Sequence, residues 1–104
     1  MTKIDDQNRR GELKSFLTDR RSRLRPHDVG LPSTGRRRVA GLRREEVAEL
    51  ADISSDWYRW LEMGRPIRVS PSFLSRLAEA LRLNASERLQ LYRLGLPELY
   101  DVAA

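Results

Sequence analysis

The sequence predicts an all-α domain of five helices, on three observations. Apolar residues recur at helical spacing in several segments, no stretch of useful length alternates apolar with polar, and capping residues stand where the periodic runs begin and end. At 104 residues the chain has room for one domain with one core.

In the first element, Leu13, Phe16, Leu17 and Leu24 share one face within residues 9–24, and Pro26 closes it. Residues 1–8 read as a flexible lead-in. Residues 26–41 follow, with two prolines and three glycines, too punctuated to be helical throughout. A connection of that length in a compact helical domain is either functional or disordered. The second helix starts at Glu45 and Glu46, carboxylates that suit the positive end of the helix dipole, and Val47, Ala48, Leu50 and Ala51 form its apolar side.

A tight turn comes next. Asp52 tolerates the left-handed conformation, Ile53 is apolar, and Ser54 or Ser55 can cap the short helix that Gly64 stops. Two short helices joined by about three residues describe a helix-turn-helix, although plain helical hairpins share the spacing. Ser70 caps a fourth helix with Pro71 at its first position, where Leu74, Leu77, Ala78 and Leu81 repeat at i, i+3, i+4 and i+7. Asn84 and Glu87 form a capping box for a fifth, which carries Leu89, Leu91, Tyr92 and Leu94 and ends at Gly95 and Pro97. The expected organisation is a domain over residues 9–95, its motif over residues 43–63, and a tail over residues 96–104 that either seals the core or pairs two chains.

Charge is unevenly distributed. Residues 1–44 hold 13 Lys or Arg against 5 Asp or Glu, a net of +8, and residues 45–104 hold 7 against 10, a net of −3. Segregation of that kind creates a face that attracts phosphate or an acidic surface. Cysteine is absent, which excludes disulfides, thiolate-bound zinc and a thiol nucleophile. No leader-like apolar core and no run of eighteen apolar residues occurs, so a cytoplasmic protein with no membrane partner is expected. His27 beside Asp28 lacks a nucleophile, and Glu45, Glu46 and Glu49 lie on one helix face in a pattern insufficient for a metal site. An enzyme, a cofactor and a metal are therefore not expected.

The segments "FLTDRRSRL", "GLRREEVAELADIS", "WYRWLEMGR" and "PSFLSRLAEALRL", in this order and spacing, resemble the XRE (Cro and lambda-repressor-like) helix-turn-helix transcription regulators. The connection "RPHDVGLPSTGRRRVAGLRREEVA" is similar to an actinobacterial group that usually joins this domain to a C-terminal MmyB-type ligand-binding domain. The resemblance covers about residues 10–95. It implies a five-helix lambda-repressor-like fold with a long basic loop between helices 1 and 2, a double-stranded DNA operator as partner, and a homodimer. Only nine residues follow Gly95, so the chain is expected to be a stand-alone short member or part of a longer protein.

Roles then distribute over the matching positions. Over residues 55–63, Tyr58 and Leu61 turn inward together, which leaves Ser55, Asp56, Arg59 and Trp60 for base edges. A guanidinium at Arg59 suits guanine O6 and N7, and the Trp60 indole, where the resembling regulators commonly have a basic residue, suits a sugar or a thymine methyl, or else packs on the neighbouring helix or a partner chain. The resemblance pairs Glu62 with an arginine of the first helix: Arg21, or alternatively Arg20. Asp52 stands where many of these regulators have glycine. Arg43 and Arg44 at the motif's start, Arg65 and Arg68 after it, and the triplet Arg36, Arg37 and Arg38 are expected on phosphate or in the minor groove. A second class stays open: a protein-interaction module that uses Trp57, Trp60 and "LGLPELY" against an acidic partner.

Overall fold

In the computed structural model the described residues are 3–32 and 41–100. They form α1 (Lys3–Arg23), a 3-10 turn (Pro26–Val29), α2 (Arg44–Ala51), α3 (Ser55–Glu62), α4 (Pro71–Ala80), α5 (Ala85–Gly95) and the single-turn α6 (Pro97–Tyr100), with no strand among them. The first five helices enclose the core. α1 packs on α3 and α5, α2 on α3 and α4, and α4 on α5, so each helix of the motif has a supporting neighbour outside it.

One leucine-rich cluster explains these contacts. Leu17, Leu42, Leu74, Leu77 and Leu91 are wholly buried, together with Val47, Ala78 and Tyr58. Each large apolar side chain contributes about 1.5–3 kcal/mol on leaving water. The predicted caps are in place. The Ser70 hydroxyl accepts the Phe73 N–H at 3.0 Å, and Asn84 and Glu87 each accept the other's N–H, at 2.8 and 3.0 Å. Glu87 also reaches Arg20: its Oε2 lies 2.9 Å from Arg20 Nε, close enough for an ion pair although outside hydrogen-bond alignment. The capping residue of α5 thereby joins that helix to α1.

Two expectations change, and two are sharpened. Residues 3–8, read as a flexible lead-in, belong to α1. Their pattern lacks apolar spacing because polar groups anchor this end: Asp6 accepts from Arg9 and Arg10, Arg9 donates to the Leu94 carbonyl, and Arg10 Nε donates to the Gly64 carbonyl at 3.0 Å. Gly95 is the last residue of α5, and its missing side chain also makes room for Leu74, whose Cδ1 would stand 2.7 Å from a Cβ there. Leu89, expected on the apolar face of α5, is 42 % exposed. Within the tail, Leu96 is buried in the core, while the side chains of Leu99 and Tyr100, and Val102, lie outside the described residues.

The long connection is anchored at both ends. Pro26 and Val29 are buried, and at the far end the Leu42 N–H donates to the Arg21 carbonyl at 3.2 Å. Gly41 makes that return possible, since a Cβ on it would lie 2.6 Å from both Cα and O of Ser22. The backbone of α1 cannot yield as a flexible side chain would. Gly11 lies mid-helix with nothing within 4 Å of an added Cβ. Gly41→Ala should therefore lower the stability measured by urea unfolding by ~2 kcal/mol or more through overpacking. Gly11→Ala should raise it by ~0.5–1 kcal/mol through helix propensity.

Candidate nucleic-acid interface

The motif is set by three backbone events. Arg43 N–H donates to the Glu46 carboxylate at 2.7 Å and starts α2. Asp52 ends the helix in the left-handed region, φ 56 and ψ 50, with its N–H turned back to the Glu49 carbonyl at 3.2 Å. A short polar side chain reaches that region at modest cost, which is how aspartate serves where glycine would be the easier choice. Ile53 N–H then bonds the Ala48 carbonyl, and the Ser54 hydroxyl caps α3 by accepting the Trp57 N–H at 3.3 Å. Of the two capping candidates, the structure selects Ser54. Gly64, at φ 79, takes the left-handed position after α3.

The orientation of α3 depends on Glu62, which is 1 % exposed. Arg21 Nε donates to its Oε2 at 2.8 Å and Arg21 NH2 to its Oε1 at 2.7 Å, a bidentate pair between α1 and α3. The third nitrogen of the same guanidinium donates to the Leu42 carbonyl at 2.8 Å. Arg21 is thus the partner of Glu62, and Arg20 is engaged elsewhere, over the Phe16 ring and beside Glu87. Arg44 Nε also donates to Glu62 Oε1, at 2.8 Å. Tyr58 is wholly buried beside the pair, its hydroxyl coupled to both charges without hydrogen-bond geometry to either. Burial and the Glu62 carboxylate push the phenol pKa far above its ordinary value, so it stays neutral.

On α3, Tyr58, Leu61 and Glu62 face inward, and Ser55, Asp56 and Arg59 are exposed. Trp60 is only half-exposed, its ring edge-on to Trp57 at 5.9 Å between centroids, with the Arg65 guanidinium 5.6 Å from its centre. Arg65, read from sequence as a backbone contact, is thus also a partner of the indole. Trp57 is 38 % exposed and belongs to the outer face as well, a residue the base-contact reading left out. Its position three before Trp60 was the available signal.

Cations flank both ends of α3. At its C-terminal end is Arg44, whose side chain is 44 % exposed despite the bond to Glu62, with exposed Arg43 preceding it. At its N-terminal end a cleft of about 380 Å³ brings Trp57, Ile53, Val69 and Phe73 together with Arg68 and Arg76. Arg76 also donates to the Asp52 carbonyl at 3.3 Å and was not anticipated, because its α4 position reads as an ordinary solvated one. Arg36, Arg37 and Arg38 lie outside the described residues. Among the described residues no cluster of metal-ligating side chains occurs, and no helix is long and apolar enough to cross a membrane.

Two short helices around a left-handed turn, the second fixed from behind and polar in front, with arginines at both of its ends, define a helix-turn-helix DNA-binding domain. The family model described as a helix-turn-helix domain matches residues 12–91, and the chain belongs to that family. Searches of curated proteins and of solved structures return no match.

Acid stability should report on Glu62. Burial by itself raises its carboxyl pKa, but the guanidinium donors of Arg21 and Arg44 outweigh burial and hold it below the ordinary 4.5. A depressed pKa contributes stability that is complete above 4.5 and is lost as pH falls through the lower folded value. Urea midpoints measured from pH 7 downward should therefore fall below pH 4.5, and Arg21→Ala should lower the pH 7 stability by ~3–5 kcal/mol by leaving the carboxylate under-compensated. An Arg21→Ala loss below about 1 kcal/mol would exclude a buried pair of this strength.

Proposed function

We propose that the protein is a sequence-specific double-stranded DNA-binding transcriptional regulator of the XRE type, with residues 55–63 in the major groove. The observation that carries this reading is a helix locked by Glu62 on its inner side while Ser55, Asp56 and Arg59 are exposed on its outer side and Trp60 is half-exposed. A recognition element has to keep its base-reading side chains in register with the groove, and a bidentate buried ion pair fixes register better than apolar contact alone.

In this reading Arg59 reads guanine through O6 and N7, and Trp60 meets a thymine methyl with its indole fixed by Trp57 and Arg65. Asp56 either accepts from cytosine N4 or repels wrong sequences at the start of α3. Arg43, Arg44, Arg65, Arg68 and the triplet Arg36, Arg37 and Arg38 bear on the phosphate backbone or the adjacent minor groove. The chain acts in the cytoplasm, and on two half-sites as a homodimer, the dimer being what the regulators it resembles imply. Exposed Trp57 and Met63, 38 % and 47 %, favour one rival, an interaction module for an acidic protein.

Selection of bound fragments from random DNA separates the two. The expected result is an enriched motif with half-sites about one helical turn apart, and log affinity that falls steeply and linearly with log salt. Binding flat in salt and indifferent to sequence would leave the protein-partner reading. On the selected site, Arg59→Ala should cost ~1–3 kcal/mol and relax one base position. Alanine at Arg36, Arg37 and Arg38 together should weaken all sequences about equally and reduce the salt slope by roughly 0.9 for each phosphate no longer neutralised.

A further inference from the structure

We infer that Glu62 is a positioning residue for DNA-backbone contact as well as a structural one: it sets the Arg44 guanidinium so that its terminal nitrogens face a phosphate. The inference rests on the DNA-binding reading and adds to it a dependence of one helix's contact on a side chain of another.

The geometry is a carboxylate shared by two arginines of unlike exposure. Oε2 accepts from Arg21 Nε at 2.8 Å, and Oε1 accepts from Arg21 NH2 at 2.7 Å and from Arg44 Nε at 2.8 Å. Arg21 spends its remaining nitrogen on the Leu42 carbonyl, so all three of its nitrogens are committed within the protein. Arg44 gives Glu62 only its Nε. A guanidinium carries five N–H donors in a rigid plane, and binding through Nε leaves the terminal edge, with its paired donors, for an acceptor on the other side. Among the described residues no other acceptor takes that edge, and the side chain is 44 % exposed against 14 % for Arg21.

Charge leads to the same conclusion. Two arginines on one carboxylate leave one positive charge in excess, and the exposure of Arg44 puts that excess at the solvent side. A phosphate there would bring the group to two cations and two anions. The entropy of holding a long side chain is already spent on the Glu62 contact, so less is lost when the anion arrives. Arg44 is the first residue of α2, where free backbone N–H groups favour the same anion. A lysine at this position has one nitrogen on a flexible stem and would serve either Glu62 or the phosphate as a point charge, without presenting a fixed edge.

Affinity and salt slope on the selected site would test this in the full chain for wild type, Arg44→Ala and Arg44→Lys. Both variants leave the Arg21–Glu62 pair in place. The expected result is about a tenfold loss for Arg44→Ala with a salt slope smaller by about 0.9, and a loss of at least about fivefold for Arg44→Lys although its charge is kept. In a Glu62→Gln background with native circular dichroism, the Arg44→Ala step should shrink to about twofold or less, a coupling that a purely structural Glu62 would not produce. If Glu62→Gln does not fold, the alanine and lysine comparison decides alone. Wild-type affinity for Arg44→Lys beside a weakened Arg44→Ala would overturn the positioning inference and leave DNA binding intact. So would an unchanged Arg44→Ala, or an Arg44→Ala step of equal size in both backgrounds. Absence of sequence-selective binding by wild type would overturn the DNA reading, and this inference with it.

Discussion

A carboxylate that is 1 % exposed stays ionised only if donors replace the water it has lost, and Glu62 obtains them from two other helices. Arg21 reaches it from α1 and Arg44 from the start of α2, while Glu62 itself closes α3. Through the same guanidinium the returning end of the long connection is tied at Leu42. Moving any one of these elements would strand a buried charge, which costs far more than the pair contributes on its own. The relative setting of the motif helices is thus a consequence of charge compensation, whereas the leucine core supplies the bulk of the folding energy without being selective about angle.

That division of labour accounts for the two-sidedness of α3. Its inner residues Tyr58, Leu61 and Glu62 combine apolar burial with one charge-fixed register, and its outer residues carry no part of the core. The end of the helix has a second restraint, because Arg10 donates to the Gly64 carbonyl directly beyond it. Its beginning is fixed by the Ser54 cap and by Arg76, which holds the Asp52 carbonyl of the turn. A short helix of eight residues is marginal alone, and here both ends and one face are restrained from outside it.

Much of this was legible in the sequence because it is written in local chemistry. Asp52 as a left-handed turn residue, Ser70 and Asn84 with Glu87 as caps, and the spacing of Leu74, Leu77, Ala78 and Leu81 all follow from residue type and period. The Arg21–Glu62 pair is different: the residues lie 41 apart, and their partnership came from the family resemblance and the buried face of α1. What could not be read was polar anchoring at long range. The N-terminal turns of α1 lack an apolar stripe and so look unstructured, yet they are held by Arg9 and Arg10 on carbonyls 85 and 54 residues away. The second role of Gly95 was hidden as well, since a glycine that admits a neighbouring side chain is indistinguishable in sequence from one that only ends a helix.

Folding also redistributes the available charge. A net of +8 in residues 1–44 suggests a broad electropositive half, but many of those cations are engaged inside the protein. Arg9 and Arg10 bond backbone carbonyls, Arg20 and Arg23 face Asp19 and Glu87, and Arg21 is committed to Glu62 and Leu42. The arginines of α1 therefore build the domain, and a count of positive residues overstates what remains for a partner. Around the motif the described cations include Arg43 just before α2, Arg44 at its first position, Arg59 on α3, and Arg65 and Arg68 after it. A small set of cations at the two ends of one rigid helix is a poorer general attractant for polyanions than an evenly basic surface, and it is better suited to a single docking geometry.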